Sequence, residues 1–371
     1  MKRTLFLCCA VTLLAGALPL WAGDPLLGLP PVPVPADNPQ SPAKIALGKR
    51  LYEDKRFSGD GTVSCATCHD PVKAFTDHLP VSEGIRKQKG TRNAPTVINT
   101  AYYDSQFWDG RRHTLEEQAK DPLLNPVEHG LTSHQQLIDV IRADPTYPAQ
   151  FTAVFDVAPP QITIDHVVKA IASFERTVVS GDSSFDRYLY GGDKTALSAA
   201  AVRGLNLYRT KARCQDCHAI GQTSAIFTDN KFHNLGVGFK RIENKVLQIA
   251  NAFRKAKQAG QDIDKAILGD AEVSELGQFT VTLRPSDIGR FKSSTLRNIT
   301  ATGPYMHDGS IKTLEEVIEL YNKGGEPNAF LDSGIRPLGL TEQEKADLLE
   351  FLKSLTSPQF AGVTAEKGVK P

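Results

Sequence analysis

Two short segments, CATCH at residues 65–69 and CQDCH at residues 214–218, constrain this chain more than anything else in it. Each sets two cysteines three positions apart with a histidine directly after the second, the pattern of covalent c-type haem attachment. The spacing has a chemical reason. Two thiols one helical turn apart add across the two vinyl groups of a porphyrin, and the adjacent imidazole then lies beneath the iron as proximal ligand. Cys65, Cys68 and His69 would hold one haem, and Cys214, Cys217 and His218 a second. A Cys₄ zinc site is the competing reading of two CxxC pairs. The pairs stand about 150 residues apart, each has its own histidine, and the chain begins like an exported one, all of which weigh against zinc.

The export reading rests on Lys2 and Arg3, an apolar run from Leu5 to Leu20, and small residues at Ala22-Gly23, which together mark residues 1–22 as a secretory signal. The run is short for a membrane span and is weakened by Gly16 and Pro19; an uncleaved anchor is the alternative. Such a leader directs the mature chain to the periplasm. Cys8 and Cys9 leave with it, so the four motif cysteines leave nothing over for a disulfide framework. No later segment is apolar enough to span a bilayer. Lys and Arg number 43 against 42 Asp and Glu, and the leader removes two basic and no acidic residues. The mature net charge, about −1, offers no basic field for nucleic acid.

At 371 residues two domains are expected, and the repetition says which two. GKRLY (48–52) and GLNLY (204–208) precede the motifs, and FTD follows each, at Phe75-Thr76-Asp77 and Phe227-Thr228-Asp229. Arg92-Asn93 is echoed by Arg297-Asn298, and Asp109-Gly110 with TLEE at 114–117 by Asp308-Gly309 with TLEE at 313–316. The expected fold is all-α, two tandem cytochrome c-like domains over 43–190 and 191–371, behind a Pro-rich lead-in at 23–42 that should be extended and solvated. Helical periodicity supports this: Ser133 before Leu137, Val140 and Ile141; a stripe of Ile164, Val167, Ile171, Phe174 and Val178; and a Thr341/Glu344 capping box before Leu348, Leu349 and Leu352. Residues 240–275, rich in Lys and Arg, read as a partly helical insertion, either a solvated face or a docking surface.

Aligning the copies on TLEE sets Tyr321 against Pro122. A phenolate oxygen can bind ferric iron, whereas proline offers no donor atom. The second iron would be capped and the first open, and an open face is what small-molecule activation requires. The first haem is the candidate reaction centre.

The segments RNAPTVINTAYYDSQFWDGR, LEEQAKDPLLNPVEHG and LRNITATGPYMHDG resemble those of the bacterial di-haem cytochrome c peroxidase and MauG family, over residues 43 to 355. The resemblance implies that Trp108 bridges the haems for electron transfer, that Gln118 and Glu128 are polar groups of the distal pocket, and that Asn93, Thr302 and Pro304 contribute to an interdomain calcium. A carboxylate suits the pocket, since it can take a proton from one peroxide oxygen and give it to the other, and oxygen ligands suit calcium. His307 matches a histidine near the second haem's propionates, not an iron ligand; His78, His113 and His129 have no assignment and read as surface or pocket residues, with a distal role the alternative for His129 beside Glu128. Ordinary peroxidases carry methionine where Tyr321 stands, whereas the mature chain's only methionine is Met306. They carry a displaceable distal histidine where Ile85 stands. Both departures are similar to MauG, whose family role is peroxide-driven oxidation of residues in a partner protein.

The expected function is reduction of hydrogen peroxide at the first haem, with oxidising equivalents held by Trp108 and the second haem. The reductant would be a small cytochrome c or cupredoxin, or side chains of a partner protein. A phenolate ligand lowers the second haem's potential, which tilts toward the partner protein. With Ile85 and Pro122 unable to ligate, no reductive activation is expected; His78 would be the best remaining blocker. The alternative function, a di-haem electron carrier without peroxide turnover, needs both irons capped, which Pro122 and Glu128 argue against.

Overall fold

Matched helix pairs frame the two motifs in the computed structural model, which describes residues 26–364. The proposed leader lies outside the described residues. In the first pair, Pro42–Glu53 is capped by Ser41, whose hydroxyl accepts from Lys44 N, and starts with proline where no amide is needed. It crosses Ile164–Glu175. In the second, Ala199–Arg209 is capped by Ser198 and crosses Glu342–Lys353, whose Thr341/Glu344 capping box forms as expected. The crossings are close because each carries a glycine. A Cβ on Gly48 would sit 1.8 Å from the Ala170 carbonyl oxygen, and one on Gly204 2.0 Å from that of Asp347. The GxxLY repeat therefore records backbone contact as well as the tyrosine discussed below.

Two apolar cores follow the duplication. One contains Leu47, Leu51, Phe57, Leu137, Ile141, Val167, Ile171, Phe174 and Val178; the other Phe185, Leu205, Tyr208, Phe227, Ile318, Leu348, Phe351 and Leu352. Ser133 starts the His134–Ala143 helix, and Ile138 joins Leu137 and Ile141 in its buried face, with Val140 at the margin. Among the described residues the only strands are the short antiparallel pair Phe232–His233 and Phe291–Lys292. No helix of the described residues is long and apolar enough to cross a membrane.

The repeat extends to backbone detail, and it corrects one pairing. Gln106 N donates to Arg112 O, and Tyr305 N to Ile311 O, each at 2.7 Å. Thr114 and Thr313 then cap Leu115–Gln118 and Leu314–Lys323. Carried back at the same offset, Asn298 (φ 59°) pairs with Asn99 (φ 65°), not with Asn93. Asn99 N donates to Val178 O and Asn298 N to Leu355 O, the same turn in each half. The Arg-Asn echo is out of register because its arginines do different work: Arg92 pairs with Asp109, Arg297 with Asp186.

Two further expectations change. The lead-in is extended but pinned at both ends. Gly28 O accepts from Arg297 Nη2 at 2.7 Å, Pro30 O from the Tyr102 hydroxyl at 3.0 Å, and buried Asn38 donates to Glu116 Oε1 at 2.7 Å. The 240–275 segment is no mere solvated face. Its helices Val246–Gln258, Ile263–Gly269 and Ala271–Ser274 build a third core with Phe239, Phe253, Ile267, Leu276 and Phe279. It also grips the first half: Arg92 donates to Ser274 Oγ and O, both at 3.0 Å, and Asp264 meets Arg111 Nε at 2.7 Å and Arg112 Nη2 at 2.9 Å.

Candidate haem sites

The histidine of each motif is held in the same way. Tyr52, from GKRLY, donates its hydroxyl to His69 O at 3.1 Å, and Tyr208, from GLNLY, donates to His218 O. His69 Nδ1 lies 3.3 Å from Phe75 O, and His218 Nδ1 2.9 Å from Phe227 O. Both phenylalanines have φ of 57°, a left-handed turn that the repeated FTD segment makes twice. A carbonyl only accepts, so Nδ1 carries the proton and Nε2 keeps the lone pair a metal needs. Burial lowers the proton affinity of both rings, so they stay neutral. The four motif cysteines form no disulfide. Two thiols and an imidazole lone pair facing each of two cavities fit a covalently attached haem.

The second cavity is lined by Cys214, Cys217, His218, Met306, His307 and Tyr321, and also by Asn93, Thr302 and Pro304. Tyr321 reaches it from the Leu314–Lys323 helix, and burial pushes its phenol above the ordinary range. His307 is buried with Nε2 2.9 Å from Glu275 Oε2, and its ring stacks on Phe291 at 3.5 Å. Asn93 donates its side-chain amide to Leu79 O at 2.9 Å and its backbone N–H to His307 O at 2.8 Å.

The first cavity is lined by Cys65, Cys68, His69, Trp108, Arg111, Gln118, Pro122, Glu128 and His129. Pro122 stands in the first turn of the Asp121–Leu124 helix, where its ring replaces the phenol of the other copy. Asn125 Nδ2 donates to Glu128 Oε1 at 3.2 Å. Burial pushes the Glu128 carboxyl up to about 7; the Arg111 guanidinium opposes the rise, and the Asp121 and Asp264 carboxylates add to it. Ile85 packs on Gly130, and its N–H donates to Glu128 O at 2.9 Å. His78 turns away, its Nε2 2.9 Å from Ala301 O, and His113 is exposed. Neither histidine lines either of these two cavities.

Trp108 lines both cavities, as do Asn93, Tyr103 and Lys292. Trp108 Nε1 donates to Asn93 O at 2.9 Å, and Trp108 O accepts from Lys292 N at 2.8 Å. Buried Lys292 places Nζ 2.9 Å from Ser105 O and 4.0 Å from the centre of the Tyr103 ring; burial pushes its amine down to about 7. Tyr103, Lys292, Arg111 and Asp264 were missed by sequence reasoning. Arg111 stands in the WDGR segment, but only the fold shows its guanidinium 3.4 Å over the Phe107 ring and clamped between Asp109 and Asp264.

Residues 42–195 match the family described as di-haem cytochrome c peroxidase. The cytochrome-c peroxidase IdrP1 of Denitromonas iodatirespirans is 39% identical over 365 residues, 95% of this chain and 93% of that protein. The methylamine utilization protein MauG of Methylorubrum extorquens is 36% identical over 330 residues, 89% and 83% of the two chains. The crystal structure of a MauG-like protein associated with microbial copper homeostasis aligns with a TM-score of 0.75 at 36% identity, covering 92% of this chain and 99% of that one.

Proposed function

The chain belongs to the di-haem cytochrome c peroxidase family, whose members use two c-type haems in peroxide-dependent oxidation, and from that premise we propose how its two sites divide the work. The first, over residues 43–190, reacts with hydrogen peroxide; the second, over 191–371, stores and passes oxidising equivalents. The observation that carries this is the exchange of Tyr321 for Pro122 at equivalent places on the two cavity walls. A bound haem supplies an iron able to take up peroxide and to hold oxidising equivalents. His69 would ligate the first iron, His218 and Tyr321 the second, and the cysteine pairs would carry the thioethers.

Glu128 acts as the distal proton carrier from the cavity wall it shares with Gln118, which orients peroxide by hydrogen bonding. Trp108 couples the sites, a reading supported by its place on both walls and its two backbone anchors. His307 stands at the edge of the second site. Asn93 Oδ1 and the carbonyls of Thr302 and Pro304 would hold a calcium ion by oxygen alone. A protein exported by its leader to the periplasm would meet its reductant there. Tyr321 favours oxidation of side chains of a partner protein; the relatives named cytochrome-c peroxidase favour a second reading, a small cytochrome c or cupredoxin donor.

The test is to mix fully oxidised holoprotein with one equivalent of hydrogen peroxide in a stopped-flow spectrometer. A high-spin first haem and reaction without prior reduction are expected, because neither Pro122 nor Ile85 has a donor atom. A requirement for a reductant would return the chain to the activatable peroxidases.

A further inference from the structure

His129 follows Glu128 in the loop after the Asp121–Leu124 helix and is only 4% exposed, yet it lines the first cavity beside His69, Pro122 and Glu128. Its Nδ1 lies 2.9 Å from Phe57 O. This is the anchoring that His69 receives from Phe75 O and His218 from Phe227 O. Three imidazoles of this chain are held by a phenylalanine carbonyl, and two of them belong to the haem motifs. In the third the same logic applies: the carbonyl can only accept, so Nδ1 bears the proton and Nε2 the lone pair. Among the described residues Nε2 of His129 has no hydrogen-bond partner, and the residue belongs to the cavity wall. Burial lowers the ring's proton affinity, which keeps that lone pair free.

The neighbouring carboxyl needs such a partner. Desolvation holds Glu128 protonated up to about pH 7, and an acid that already carries its proton can give one but cannot take one. Resting on the reading of the first cavity as the peroxide site, we propose that His129 is its distal base, with Nε2 receiving the proton that incoming hydrogen peroxide must lose while Glu128 protonates the oxygen that departs. The O–O bond breaks, and its electron pair leaves on the departing oxygen. That oxygen keeps its own hydrogen, takes the Glu128 proton and becomes water. The proton on His129 then returns to the Glu128 carboxylate, so the pair resets with no net proton consumed. The two electrons are those that the family's peroxidase activity already supplies.

Cyanide separates the two roles, because HCN must lose a proton to bind ferric iron and has no O–O bond to break. The experiment measures cyanide association with ferric holoprotein at neutral pH, alongside the spin state of the first haem. His129→Leu is expected to slow association by about 10²-fold, the size of a lost general base, with the first haem high-spin before and after. His129→Gln, which keeps a donor for Phe57 O, should show the same loss and serves if the leucine variant fails to fold. Equal rates in wild type and variants overturn the proposal while leaving the peroxide site intact. A first haem that is low-spin in wild type and becomes high-spin without His129 also overturns it, since His129 would then cap the iron. Wild-type ferric protein that neither binds cyanide nor reacts with peroxide overturns the reading of the first cavity itself.

Discussion

Replacing Glu128 with glutamine has consequences for rate and for stability, and the two have separate causes. Glutamine keeps the shape and can still accept from Asn125, but it carries no transferable proton, so the peroxide reaction should slow by roughly 10² to 10⁴. The stability effect follows from the carboxyl pushed up to about 7 from an ordinary 4.5. Below pH 4.5 the group is protonated in both folded and unfolded chains and contributes nothing to the difference. Between 4.5 and 7 the unfolded chain releases the proton while the folded one retains it, so stability falls as pH rises, and above 7 the full penalty remains. At 1.36 kcal/mol per pH unit the penalty has an upper limit of roughly 3 kcal/mol. Glu128→Gln should therefore match wild type in urea unfolding at pH 4.5 and be the more stable protein at pH 8, while stopped-flow mixing with peroxide shows the slower reaction. A wild-type peroxide rate would remove Glu128 from the proton path. A stability difference that does not change with pH would refute the buried-carboxyl argument even if the rate fell.

Tyr321→Phe removes the only oxygen donor of that side chain and should change the spin state of the second haem without altering the first; an unchanged absorption and EPR spectrum would eliminate the ligand assignment. Trp108→Phe should leave peroxide uptake at the first site intact while oxidation of the second centre slows, seen as a lag between the two haem signals, and simultaneous signals would point to another route. Asp186→Asn strands the Arg297 guanidinium, 1% exposed and held at 2.8 Å by both carboxylate oxygens, and should cost about 3–5 kcal/mol in denaturant unfolding. A loss below 1 kcal/mol would show that Gly28 O and Ala225 O suffice to satisfy the arginine.

What could be read from the sequence is what covalent or local chemistry dictates. The CxxCH spacing, the tyrosine of GxxLY, the FTD turn and the TLEE cap each act within a few residues, so each leaves a pattern that survives duplication. The contrast of Tyr321 with Pro122 was legible because TLEE fixes the register between the copies. The Arg-Asn echo misled because identical letters without a shared backbone role carry no register. His78 and His129 could not be told apart, since a lone histidine has no periodicity. Only the fold sends His78 to Ala301 O and His129 to the first cavity. Arg111 and Asp264 meet across more than 150 positions, and no local rule links them.

The duplication itself explains how the backbone between the cavities is held together. At the offset fixed by TLEE, Trp108 corresponds to His307 and Asn93 to Lys292. Phe107 and Met306, each just before the pair, share a left-handed backbone with φ of 67° and 74°. The two halves then exchange the same bond: Lys292 N donates to Trp108 O, and Asn93 N to His307 O, each at 2.8 Å. Related backbones thus grip each other reciprocally and leave the side chains free to diverge. One copy carries an indole on both cavity walls, and the other an imidazole tied to Glu275 of the insertion. Because the reciprocal bonds come from main-chain N–H and C=O groups, they constrain neither side chain. A side chain on one side of the interface can therefore change while the backbone on the other side keeps its geometry.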